Sequence, residues 1–270
     1  MAISQDEETT LTTKKEALAR GVTRRMGLMG MLTAGVALGS ACSGGNAILT
    51  PPAKAAGVTD FDILNFALNL EYLESEFYYY ATTGHGIAAA GIGTSGTGAA
   101  GATTGGVATA FTNNVTQTVA QQITTDEGTH VTLLRSALGA QAVAKPAIDL
   151  SAGGTYNFST MNVFLALSRA FEDTGVSAYG GAAPLITSKE ILQTAAQILG
   201  MEVYHASNIR LMCAQMGVAT TATDAQDVLP PPSGTDYFCD HKALAIVRTT
   251  AQVLAIVRPF FPNGLNGNIR

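Results

Sequence analysis

The stretch ILQTAAQILGMEVYHASNIRLMCAQ, residues 191–215, decides how this chain is read. Its apolar residues recur at helical spacing, and Glu202 and His205 stand three apart, so both side chains project from one face. A carboxylate and an imidazole among core-type residues are costly unless something compensates them. Either they form a hydrogen-bonded pair on a partly exposed helix, or they hold a metal. A second stretch, DEGTHVTLLR at 126–135, repeats the motif with Glu127 and His130. Arg135 follows His130 by five residues, as Arg210 follows His205. Two other helical stretches carry Glu71 with Tyr78 and Glu172 with Tyr179, each pair seven apart.

One pattern therefore occurs twice: Glu-x6-Tyr on one helix, then Glu-x2-His-x4-Arg on the next. Glu71 precedes Glu127 by 56 residues and Glu172 precedes Glu202 by 30; setting aside residues 84–106 shortens the first interval to 33. Only seven Glu and four His follow Ala55. Random placement would yield about 0.13 Glu-x-x-His pairs where two occur.

Around these motifs the sequence predicts four long helices. The first opens at Thr59-Asp60-Phe61-Asp62 and runs to Thr83; the second covers 113–138. The third covers 159–183 and stops before Pro184, and the fourth opens on the capping-box spacing of Thr187 to Glu190 and reaches Met216. Residues 84–106, rich in Gly, Ala and Thr, read as a long flexible insertion. After Pro230-Pro231-Pro232, the amphipathic segment KALAIVRTTAQVLAIVR reads as a last helix packed on the bundle. The expected class is all-α: a four-helix bundle with a long crossover and an extra C-terminal helical segment. The crossover is long enough, since twenty extended residues reach about 66 Å and a 25-residue helix is about 37 Å long.

The domain plan places an export signal in residues 1–55, the bundle in 56–217 and a tail with its packed helix in 218–270. Thr23-Arg24-Arg25 precedes the Gly-rich apolar run MGLMGMLTAGVALGSAC, and Ala53-Lys54-Ala55 offers a cleavage site. This pattern looks like a bacterial twin-arginine signal and predicts a periplasmic or otherwise exported protein whose mature chain has no transmembrane span. Lipid attachment at Cys42 is the lesser alternative, because Gly39 stands where such signals usually have Leu. Of the cysteines beyond the signal, Cys213 and Cys239 either pair or remain separate thiols. The net charge of −5 gives no reason to expect nucleic acid as a partner, and 47% hydrophobic against 13% charged residues argues against disorder.

Four inward carboxylates and two imidazoles are the ligand set of a bundle-centred di-iron or di-manganese site. With LNLEYLESEFYYYA around Glu71 and Tyr78, the two Glu-x-x-His motifs and the terminal FFPNGLNG, the chain resembles the ferritin-like superfamily. That superfamily includes rubrerythrins, bacterioferritins and exported desiccation-related proteins. The resemblance implies two Fe or two Mn ions bridged by Glu127 and Glu202. Glu71 and His130 are then terminal on one ion, Glu172 and His205 on the other. Tyr78 and Tyr179 are expected to hydrogen-bond the carboxylates, to supply an electron, or simply to fill the core. Among neighbouring residues, Glu74 and Glu76 read as solvated or rim acids, and Arg135 and Arg210 as salt-bridge partners. Asp126 is a candidate to hold a histidine's outer nitrogen, whereas Met201 occupies the equivalent place in the other half. His85 and His241 have no matching partners. The implied activity is oxidoreduction with O2, peroxide or ferrous iron in stress protection, by peroxidase, catalase or ferroxidase chemistry. The alternative is a non-enzymatic metal-binding or desiccation-protective bundle. No motif names an electron donor.

Overall fold

The computed structural model describes residues 57–238 and 243–269, all within one compact unit. The proposed signal in 1–55, Cys42, Cys239 and His241 lie outside the described residues. Four helices carry the fold: α1 (Asp60–Thr83), α2 (Asn114–Leu138), α3 (Met161–Ala182) and α4 (Lys189–Met216). Their starts follow from local chemistry. Thr59 and Asp62 form a capping box on α1, the Asn113 side chain accepts from Val115 and Thr116 at α2, and the Ser188 hydroxyl accepts from Ile191 at α4. Gly84 and Gly217 end α1 and α4 in the left-handed conformation that glycine adopts without penalty.

α1 packs on α2, and α3 on α4. Ala110 bridges Thr160, which puts the starts of α2 and α3 at one end of the bundle. The connection 139–160 must therefore run the bundle's length, as a ferritin-like crossover does. Asp60, at the start of α1, accepts from the backbones of Thr187 and Ser188 and so ties α1 to the start of α4. The apolar core includes a ring cluster in which Phe77 stacks on Phe164 and touches Phe158 and Phe171. No helix among the described residues is long and apolar enough to cross a membrane.

Two expectations need correction. The glycine-rich insertion is packed rather than flexible. It forms a short helical turn at Ile87–Ala90, and its strand β1 (Thr103–Thr104) pairs in parallel with β2 (Ile148–Asp149) of the crossover. A Cβ on Gly96 would stand 2.2 Å from the Ala142 carbonyl oxygen, and one on Gly101 would stand 2.2 Å from the Ala147 nitrogen. These glycines serve close backbone approach, not chain freedom. Lys145 of the crossover fastens the insertion by donating to the Gly101 carbonyl and the Thr103 hydroxyl, and it pairs with buried Glu76 at 3.5 Å. The C-terminal helix is also shorter than its amphipathic segment: α5 covers only Thr250–Val257. The Thr249–Gln252 capping box starts it late, because Arg248 is bonded away from the helix. The Arg248 backbone donates to the Ser177 carbonyl and its guanidinium to Asp224.

Asn266, in the terminal FFPNGLNG, joins three segments. Its amide donates to the Ala99 and Ala144 carbonyls, its side-chain oxygen accepts from Ala99, and its backbone exchanges bonds with Asn69 on α1. Asn266→Ala is expected to cost about 1–3 kcal/mol by removing the side-chain bonds. Thermal unfolding should show a lowered Tm, and limited proteolysis faster cutting within 84–106; an unchanged Tm would contradict this latch.

Candidate metal centre

Each helix delivers its part of the centre from one inward face: Glu71 from α1, Glu127 and His130 from α2, Glu172 from α3, Glu202 and His205 from α4. All four glutamates have 0% exposure and both histidines 4%. His130 Nδ1 lies 3.3 Å from Glu71 Oε2, 3.3 Å from Glu202 Oε1 and 3.6 Å from Glu127 Oε2. His205 Nδ1 lies 3.0 Å from Glu127 Oε1 and 3.5 Å from Glu172 Oε2. Two groups result, Glu71–Glu127–His130–Glu202 and Glu127–Glu172–Glu202–His205, each with its ligand atoms within 4.8 Å of one another. They share Glu127 and Glu202, the two residues expected to bridge.

The donor atoms test whether a metal pair fits. Eight buried atoms of these residues make no hydrogen bond: Glu71 Oε2, Glu172 Oε2, both oxygens of Glu127 and Glu202, and Nδ1 of each histidine. Buried polar atoms are otherwise nearly always paired. Eight lone-pair atoms shared between two four-residue groups give four donors to each of two cations. Two divalent ions would also neutralise the four carboxylates. The set of oxygen and imidazole donors suits a divalent transition metal, and no thiolate among the described residues joins it. Cys213, a free thiol that burial pushes up to about 12, instead contacts the Leu165 carbonyl.

The remaining oxygens of the terminal glutamates are satisfied crosswise. Tyr78 of α1 donates to Glu172 Oε1 of α3, and Tyr179 of α3 donates to Glu71 Oε1 of α1, both at 2.5 Å. Each phenol thus fixes the carboxylate of the opposite half and turns its free oxygen towards a histidine. Burial, then the adjoining carboxylate, holds both phenols well above their usual range. Among the ligands, burial raises Glu71 to about 7, partly offset by His130. Burial, then Glu127, raises Glu202 well above the carboxylate range. Burial would raise Glu127 too, but His130 and His205 on either side hold it far below the carboxylate range. Burial opposes the charged imidazole of His205, yet Glu127 and Glu172 push it up to about 12.

Asp126 reaches His205 across the two motif helices, with its Oδ2 3.1 Å from Nε2. The helical neighbours of the site correct several expectations. Glu74 and Glu76 are not rim acids but 4% and 2% exposed. Glu76 pairs with Lys145, while Glu74 points towards Gly175. A Cβ at Gly175 would stand 2.4 Å from Glu202 Oε2 and 3.2 Å from Glu74 Oε1. Gly175 lies three past Glu172, as Glu74 lies three past Glu71, so this glycine leaves the room that Glu74 enters. That spacing was the available signal for Glu74. Arg210 does pair with Asp173, at 2.6 Å, but Arg135 donates to the Tyr72 hydroxyl rather than to an acid. Sequence reasoning missed Arg169 and Arg248. Arg169 pairs with Asp227 of the tail, and Arg248, paired with Asp224 within the tail, donates to the Ser177 hydroxyl of α3; both so hold the tail on the bundle. His85 is exposed on the insertion, away from the cluster.

Metal uptake at this site must displace the protons that the carboxylates hold on both imidazoles. Loading near pH 7 is therefore expected to release protons, with affinity weakening as pH falls. Calorimetry in buffers of different ionisation enthalpy checks this; a heat independent of buffer would contradict it.

No match is found among curated proteins. The ferritin-like domain family matches residues 59–215, more than half of the chain, and that span contains all four helices but for the last residue of α4 and every residue of the cluster. Crossover bundle, buried carboxylate–histidine cluster and family match agree: the chain belongs to the ferritin-like domain family.

Proposed function

We propose that this protein is an exported ferritin-like oxidoreductase that carries a two-metal centre of Fe or Mn and acts on O2, peroxide or ferrous iron in stress protection. The observation that carries the reading is the set of eight buried, converging donor atoms that make no hydrogen bond, four for each of two cations. Glu71, Glu127, His130 and Glu202 would hold one ion, and Glu127, Glu172, Glu202 and His205 the other. The ions, when bound, would supply the redox change.

The chain's own residues define what such a site admits. With four glutamates at 0% exposure and histidines at 4%, organic substrates are shut out and only very small molecules reach the centre. Tyr78 and Tyr179 keep Glu172 and Glu71 oriented and hold phenolic protons beside the donor atoms. Export rests on Arg24-Arg25, the apolar run after them and Ala53-Lys54-Ala55. The same enclosure of the glutamates also suits a bundle that holds metal without turnover, which is the second reading.

Metal analysis of protein matured in its native compartment, followed by anaerobic ferrous loading and mixing with O2 or peroxide, separates the two. About two metals per chain with rapid oxidation are expected; bound metal without redox change would favour the second reading. Glu127→Ala and Glu202→Ala, each removing a donor from both groups, should abolish stable occupancy of both positions. Retained occupancy in either variant would contradict the assignment. Tyr78→Phe should keep the metal content and slow the oxidation, because Glu172 loses its orienting donor.

A further inference from the structure

The duplicated centre is not symmetric where its histidines are supported. The two halves correspond residue for residue: Glu127 and His130 on α2 with Glu202 and His205 on α4. The residue before each motif glutamate differs, Asp126 on one helix and Met201 on the other. Asp126 reaches across to His205 Nε2 at 3.1 Å. By the same register Met201 is the residue owed to His130, and a thioether is at best a weak acceptor. Among the described residues, no hydrogen-bond partner stands at His130 Nε2, although both histidines are equally buried at 4%.

We propose that Asp126 makes the two metal positions inequivalent, so that the one served by His205 and Glu172 binds a divalent cation first and more tightly. This rests on the two-metal reading above. The His205 Nε2–H donates to the Asp126 carboxylate, so that once a cation displaces the Nδ1 proton the ring is held in the tautomer whose Nδ1 lone pair lies beside Glu127 and Glu172. The carboxylate also raises the basicity of the ring and removes its rotational freedom. His130 has three inward contacts, to Glu71, Glu127 and Glu202, where His205 has two, but it lacks that outer hold. Supporting carboxylates of this kind change metal affinity about 10–100-fold. Asp126 acts through His205 and is a positioning residue.

The test is anaerobic titration of the metal-free mature chain with Co2+, followed by calorimetry and by the visible bands of the bound ion. Two equivalents should bind in separate steps, the first about 10–100-fold tighter. His205→Ala should remove the tight step and His130→Ala the weak one. Asp126→Ala should weaken the first step to the level of the second while leaving the stoichiometry intact. Met201→Asp should tighten the second step towards the first, a gain that general damage to the fold would not produce. Two equal steps in the unaltered chain, or an Asp126→Ala chain that keeps the two-step curve, would overturn the inference while leaving the two-metal reading standing. Uptake of no Co2+ at the six-residue site would overturn both.

Discussion

Four carboxylates share the middle of this bundle with almost no solvent to screen them, and their mutual repulsion is the interaction on which the rest of the structure turns. Two like charges about 4 Å apart repel by about 4 kcal/mol at an effective dielectric of 20. The two imidazoles set between the glutamates are pushed well above their usual range, and they hold Glu127 far below the carboxylate range while burial raises Glu71 and Glu202. Two phenols take one oxygen each from Glu71 and Glu172. What remains is a shell of buried oxygen and nitrogen atoms that converge without hydrogen bonds, the arrangement a pair of cations would fill.

The surrounding architecture keeps water from undoing that arrangement. On the α1–α2 side the glycine-rich insertion closes over the helices: a Cβ at Gly128 would meet Ile92 and Tyr79, and one at Gly93 would meet Arg135. On the α3–α4 side the tail closes. Arg210 donates to the carbonyls of Val228, Asp236 and Tyr237, and Arg169 to that of Thr221. The duplicated arginines thus sit beneath two unrelated covers, one inserted within the bundle and one appended to it. The internal repeat survives in the ligands and has been lost in what encloses them.

The legibility of the sequence follows the same division. Helices and ligand candidates could be read because α-helical period and Glu-x-x-His spacing are local, and because the repeat supplied an internal comparison: Glu172 vouched for Glu71. The same comparison failed for Glu74, whose counterpart is Gly175. Absence of a matching acid was read as solvation, when the glycine is the space into which Glu74 projects. Glycine misled again in residues 84–106, where composition suggests freedom but Gly96 and Gly101 permit backbones to touch. Asp126 could be suspected as a support, but which histidine it serves depends on how α2 and α4 face each other across the bundle. Arg169 and Arg248 were out of reach for a similar reason, since their partners lie 58 and 24 residues away in an irregular tail.

The central claim is that six residues on four helices form one site for two cations. Anomalous X-ray scattering from crystals of the metal-loaded protein, collected on either side of the iron and manganese edges, tests it most directly. Two peaks about 3.5–4 Å apart, one beside Glu71 and His130 and the other beside Glu172 and His205, with Glu127 and Glu202 between them, is the result expected. A single peak, or full occupancy at residues other than these six, would contradict it.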